Sequence, residues 1–159
     1  MKLELVLRLD TGGNVMSQWS SSAAKRFIDN KKAKQTENAK VLHDQEMVEL
    51  KSPTIWDQLC EEFSRRCTEF NSEPGVGKIL SVSRAESSAL TISRADTDAK
   101  MTVTLLPFHV VAVKGIKEPE NFTFKVIAGT SDVALFNSRG ELMLPEEISR
   151  IGLEMFLTI

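Results

Sequence analysis

The sequence predicts a two-layer α+β protein. It has an antiparallel β-meander of about five to seven strands with helices packed on one face, preceded by a long N-terminal helix and closed by a C-terminal helix. Three observations lead there. Residues from about Ser17 to Ser72 are rich in helix formers and contain one proline. After Gly77 the apolar residues recur at every second position and short turn-prone runs separate the groups. A last apolar stretch at helical spacing follows Pro145.

At the start of the chain Leu3, Leu5, Leu7 and Leu9 alternate with Glu4, Val6, Arg8 and Asp10. This is a half-buried strand closed by the turn-prone Thr11-Gly12-Gly13-Asn14. Residues 1–15 read equally as a dispensable extension ahead of Met16-Ser17, and both readings stay open.

Ser17 to Lys51 holds neither Pro nor Gly and is rich in Ala, Lys, Gln and Glu, all good helix formers. Thirty-five helical residues would span roughly 50 Å, against about 40 Å for the diameter of a domain of this length, so the helix is expected to overhang. Trp19, Ala23, Phe27 and Ile28 can pack, as can Val41, Leu42, Met47, Val48 and Leu50. Between Asp29 and Lys40 only Ala33 and Ala39 are apolar. Ser52-Pro53 is expected to end this helix and begin the next, because Ser suits an N-cap and Pro the first helical position. The chain accordingly divides into 1–51, a strand or extension with a long projecting helix, and 52–159, a compact α+β domain.

In the second helix, from Pro53 to Ser72, Trp56, Cys60, Phe63, Cys67 and Phe70 recur at steps of four and three, with Leu59 widening the stripe. Glu61, Glu62, Arg65, Arg66 and Glu69 take the other side, which makes an amphipathic helix. In the meander, Leu80 and Val82, Leu90 and Ile92, Met101, Val103 and Leu105, then Phe122, Phe124 and Val126 form one face, with Ser and Thr opposite. That pattern marks a sheet wet on one side. Phe108 to Val113 is expected as a further strand, Gly115 to Asn121 as a loop, and Asn137-Ser138-Arg139-Gly140 as the turn of a terminal hairpin. In the last helix the expected core face is Ile148, Ile151, Met155 and Phe156, with Leu153 and Leu157 extending it.

The chain has 159 residues, 42% hydrophobic and 26% charged, with 20 Lys and Arg against 22 Asp and Glu. A chain of this length buries about 68–70% of its unfolded surface, so its core needs no disulfide or metal. The net charge of −2 and a pI near 5.8 argue against a basic nucleic-acid coat. Glu4, Arg8 and Asp10 interrupt what a signal peptide would require. The apolar run Leu105–Val113 is too short to span a bilayer and contains Pro107 and His109. Cys60 and Cys67, seven residues apart on one helix, lie about 10.5 Å apart along its axis and cannot bridge. Two free thiols and no export signal imply a cytoplasmic protein, where the sequon Asn121-Phe122-Thr123 carries no sugar.

No chemical motif survives its spacing test. Pro74-Gly75-Val76-Gly77-Lys78 has Ser72 where a phosphate loop needs its first glycine and Ile79 where it needs a hydroxyl. The two cysteines continue a core stripe and lack zinc-site spacing. Neither His43 nor His109 is selected as a base by any partner at a telling distance in sequence. No cofactor or metal is expected, and an enzyme is the third reading.

Charge is segregated. Residues 25–40 carry Lys25, Arg26, Lys31, Lys32, Lys34 and Lys40 against Asp29 and Glu37, a net +4, whereas 41–73 carry a net −5. The first expectation is therefore a non-catalytic protein–protein interaction or self-association module, a homo-oligomer or a protein's partner. Its contacts would be made by Phe27, Ile28, Lys31, Lys34 and Val41 on the long helix and Leu153 and Leu157 on the last. The alternative is a carrier of a small apolar ligand, held between sheet and helices by Phe63, Phe108, Phe122, Phe124 and Met155. The order of elements resembles that of helix-grip proteins, from which the long first and short last helices depart. Nucleic-acid binding is disfavoured because the basic stretch lacks interleaved aromatics, and no membrane association is expected.

Overall fold

The computed structural model describes residues 10–159, with side chains from Gln18 onward. In chain order the elements are α1 (Asp10–Asn71), β1 (Leu80–Glu86), β2 (Ala89–Arg94), β3 (Lys100–Leu106), β4 (Val110–Lys114), β5 (Glu120–Val126), β6 (Val133–Phe136), β7 (Leu142–Met143) and α2 (Pro145–Leu157). The strand expected at Leu3–Leu9 lies outside the described residues. By their contacts the residues form two units, one ending at His43 and the other Asp44–Ile159.

The period-two alternation after Gly77 becomes a single open sheet of seven strands in sequence order, each antiparallel to its neighbours. Register puts the apolar positions side by side. Leu90 stands beside Val103 and Val103 beside Val113; Ile92 pairs with Met101, Val111 with Phe122, and Phe124 with Leu135. All of these are buried, together with Trp56, Leu59, Cys60, Phe63 and Cys67 of α1 and Ile148, Leu153 and Phe156 of α2, in one core. The opposite face carries the hydroxyls: Ser83 pairs with Thr91 and Thr91 with Thr102. The fold is thus the predicted α+β class, with both helices contributing to the core on one side of the meander.

The sequence reading errs at the proline. α1 is one helix that runs through Ser52-Pro53. Its buried face begins upstream of the proline, at Val48, and continues through Ser52, Trp56, Leu59 and Phe63 at helical spacing, while Pro53 itself is exposed. Proline in a helix interior costs about 3 kcal/mol. Burying side chains such as Leu59 and Phe63 contributes about 1.5–3 kcal/mol each. A face that spans the proline therefore outweighs the lost hydrogen bond. The turn expected at Thr11–Asn14 is also helical, since extending an existing helix requires no new nucleus. With one helix ahead of the meander, the two-helix opening behind the helix-grip resemblance is absent among the described residues.

Strand β3 stops at Leu106 because Pro107 has no N–H for the ladder. The strand expected over Phe108–Val113 accordingly begins at Val110, and its first two residues are a turn in which Phe108 and His109 both take left-handed backbone angles, φ +64° and +58°. At the far end of β4, Gly115 (φ +85°) lies so close to the Lys100 carbonyl oxygen that a Cβ there would strike it.

Side chains lock the helices to the sheet. Trp56 Nε1 donates to the Ser87 carbonyl at 2.8 Å. Asn71, the last residue of α1, donates to the Leu80 carbonyl and accepts from the Leu80 N–H at 2.8 and 3.0 Å. Arg66 Nε donates to the buried Ser149 Oγ at 2.9 Å, which ties α1 to α2. Pro145 occupies the first turn of α2, and Glu147 accepts from the Leu144 N–H at 3.1 Å.

Candidate functional site

Two surfaces collect the residues singled out from the sequence. The first is the helical surface of the N-terminal unit. From Gln18 to His43 every side chain is exposed except Ala23, which is half-buried. Trp19, Phe27, Ile28, Val41 and Leu42 are among the large apolar residues left in solvent, Phe27 at 68% exposure. Lys31 and Lys34 lie four and seven residues beyond Phe27 and so share its face of the helix. Ala23 and Ala24, one turn before it, keep that face low. Of the contact residues expected on α2, Leu153 is 5% exposed and belongs to the core, a correction to the sequence reading. Leu157 is half-buried and packs against the same core.

The correction at Leu153 follows from how α2 seats. Its buried residues are Ile148, Ser149, Gly152, Leu153 and Phe156. The small pair Ser149 and Gly152 lets the helix settle on α1: a Cβ added at Gly152 would stand 3.4 Å from the Phe63 ring. That rotation turns Ile151 and Met155 out of the core centre, where they are half-buried.

The turned-out residues form one wall of the second surface, a cleft of about 160 Å³. Its floor and walls are Val113, Ile116, Phe122, Met143, Ile148, Ile151, Gly152 and Met155, and its polar residues are Glu118, Glu120, Asn137 and Arg139. The wall at the β6–β7 turn is fixed by its own hydrogen bonds. Asn137 Oδ1 accepts the Arg139 and Glu141 N–H groups, and Nδ2 donates to Glu141. The Asn137 hydrogen bond, with the Arg139 guanidinium, holds the Glu141 carboxyl below its ordinary range. Glu120 accepts a long bond from Ser138 at 3.4 Å. No ion pair among the described residues involves Glu118 or Glu120.

Of the five residues expected in a pocket, Phe122 and Met155 line this cleft. Phe63 and Phe124 are buried in the core. Phe108 does not line the cleft: it stands in the β3–β4 turn at 92% exposure, placed there by the break at Pro107. Glu118, Glu120, Ile116 and Ile151 were not picked out as pocket residues. The only hint was a pair of acids on either side of Pro119 in an otherwise uninformative loop.

No family model matches this chain, and neither a curated protein nor a solved structure is similar to it.

The remaining candidates have structural placements. Cys60 and Cys67 are free, buried thiols, and burial pushes each pKa up to about 11, with Asp57 and Glu61 adding at Cys60 and Arg84 opposing. Such thiols stay protonated and make poor nucleophiles or ligands. Among the described residues no group of three or more His, Cys, Asp or Glu is arranged to hold a metal, and no helix is long and apolar enough to cross a membrane.

Proposed function

We propose that this protein is a non-catalytic self-association module whose contact surface is the helix of the N-terminal unit. The observation that carries the reading is the exposure of Trp19, Phe27, Ile28, Val41 and Leu42 on a helix that buries almost nothing from Gln18 to His43. A helix that is polar nearly all round and without a packed face is not stable by propensity alone. A partner that covers the apolar side chains supplies the missing burial. Segregated charge favours a second copy as that partner, since the net +4 of residues 25–40 is complementary to the net −5 of residues 41–73. Sedimentation of the full chain over a wide concentration range tests this. Reversible association that weakens when Phe27 and Ile28 are replaced by Ser is expected, and a monomer at all concentrations contradicts it.

The cleft supports a second reading, the binding of a small apolar ligand. Phe122 and Met155 meet there with six other apolar or small residues. Its volume is below the roughly 300–1,000 Å³ of pockets for drug-sized ligands, so it suits a ligand the size of one aromatic ring. Benzylamine, whose ammonium can face Glu118 and Glu120, is the test ligand. A rise in Tm that Ile151→Glu removes supports this reading, and no shift at millimolar benzylamine rejects it.

A further inference from the structure

We infer that the cleft beside α2 is the receptor for Phe27 of a second copy of this chain, with Lys31 and Lys34 meeting Glu118 and Glu120 at its mouth. The inference deepens the self-association reading and rests on it.

Size limits the occupant first. A cavity of about 150 Å³ lined by apolar side chains holds a benzene ring, and this cleft measures about 160 Å³. One phenylalanine ring fits. Three aromatic side chains among the described residues are largely exposed: Trp19, Phe27 and Phe108. Trp19 has Ser22 and Ala23 one turn on, where Phe27 has Lys31, and so brings no ammonium beside its ring at that position.

Charge then separates the remaining two. Glu118 and Glu120 are the carboxylates that line the cleft, and among the described residues neither forms an ion pair. Phe108 is flanked by Pro107 and His109. Phe27 shares its helix face with Lys31 and Lys34, one and two turns away, so a helix that lowers Phe27 into the cleft carries two ammonium groups over the rim. Arg139 at the same rim is already engaged by Glu141 at 2.8 Å and does not oppose them. Ala23 and Ala24, on the other side of Phe27, present no bulk where the helix must lie against the surface. Ile151 and Met155, turned outward by the seating of α2 on Gly152, give the ring its apolar wall. Each copy offers one ring and one cleft, so a reciprocal exchange would make a two-fold dimer.

Charge exchange in the full chain tests this, read by sedimentation equilibrium. Phe27→Ala is expected to weaken association about tenfold or more, as removal of a buried aromatic anchor does. Lys31→Glu with Lys34→Glu, and separately Glu118→Lys with Glu120→Lys, are each expected to weaken it several-fold. Mixing the two charge-reversed chains is expected to restore mixed dimers to within a few-fold of the original affinity. Phe108→Ser is expected to leave association unchanged. Association of the unaltered chain that is indifferent to Phe27→Ala, that fails to recover on mixing, or that depends on Phe108 overturns the inference while self-association itself stands. A chain that stays monomeric throughout removes both.

Discussion

Cys60 and Cys67 lie seven residues apart on the buried stripe of α1, and their thiols are held in the protonated form by the core around them. With folded pKa values of about 11 against an ordinary 9.0, the folded state retains protons that the unfolded chain gives up. Stability is therefore complete below pH about 9 and declines as pH rises toward 11. Urea midpoints measured from pH 8 to 11 should fall across the upper part of that range, with a smaller fall in a Cys60→Ala, Cys67→Ala chain. The turn at Phe108 makes a second case. A phenylalanine with φ +64° carries backbone strain of order 1–3 kcal/mol, and its ring recovers nothing by burial in a single copy. Phe108→Gly is expected to stabilise the protein by about 1 kcal/mol in chemical denaturation, and a loss of stability would show that the ring is covered. The cysteines were legible from spacing alone, because a core stripe declares itself by period. Phe108 was not, because an apolar residue beside valines reads as strand until Pro107 is given its full weight.

At the scale of elements, the meander was the most legible part, since alternation and hydroxyl placement set both faces of each strand. The helices were harder. Local rules place a boundary at Ser52-Pro53, yet the buried face from Val48 to Phe63 crosses it, and tertiary burial prevails over local preference. Because Pro53 is exposed, Pro53→Ala removes the helix penalty without opening the core. It is expected to raise the unfolding free energy by about 1–3 kcal/mol, read from the urea midpoint at unchanged m-value. In α2 the apolar residues surround so much of the helix that the sequence reading put Ile151 and Met155 on the inward face, whereas both are half-buried and Gly152 and Leu153 are buried. Ser149 and Gly152, which carry no hydrophobic signal, decided which side faces inward and so created the cleft. The sheet's two edges are blunted: β1 has an irregularity between Ser83 and Glu86, and β7 is two residues long. Both features discourage further strands from adding.

Taken as a whole, the molecule joins two units of different thermodynamic character. Asp44–Ile159 has a continuous core, whereas the side chains from Gln18 to His43 have almost none. Local opening should follow that division. In dilute protein, amide hydrogen exchange between Lys31 and Lys40 is expected to be orders of magnitude faster than at Met101 and Val103 in β3. Raising the protein concentration should slow exchange around Phe27 if a second copy covers it. Equal protection in both regions at every concentration would contradict this.

Strand order has a further consequence, for the timing of assembly. Every strand of the meander bonds to the one just before it in the chain, so loop closures are short and rapid folding is favoured. During synthesis, α1 emerges before the strands and offers its greasy stripe as a template. Each new hairpin can then zip onto the growing edge without waiting for distant sequence. The final closure of the core belongs to α2, whose Phe156 and Ile148 reach it only after all seven strands have been made.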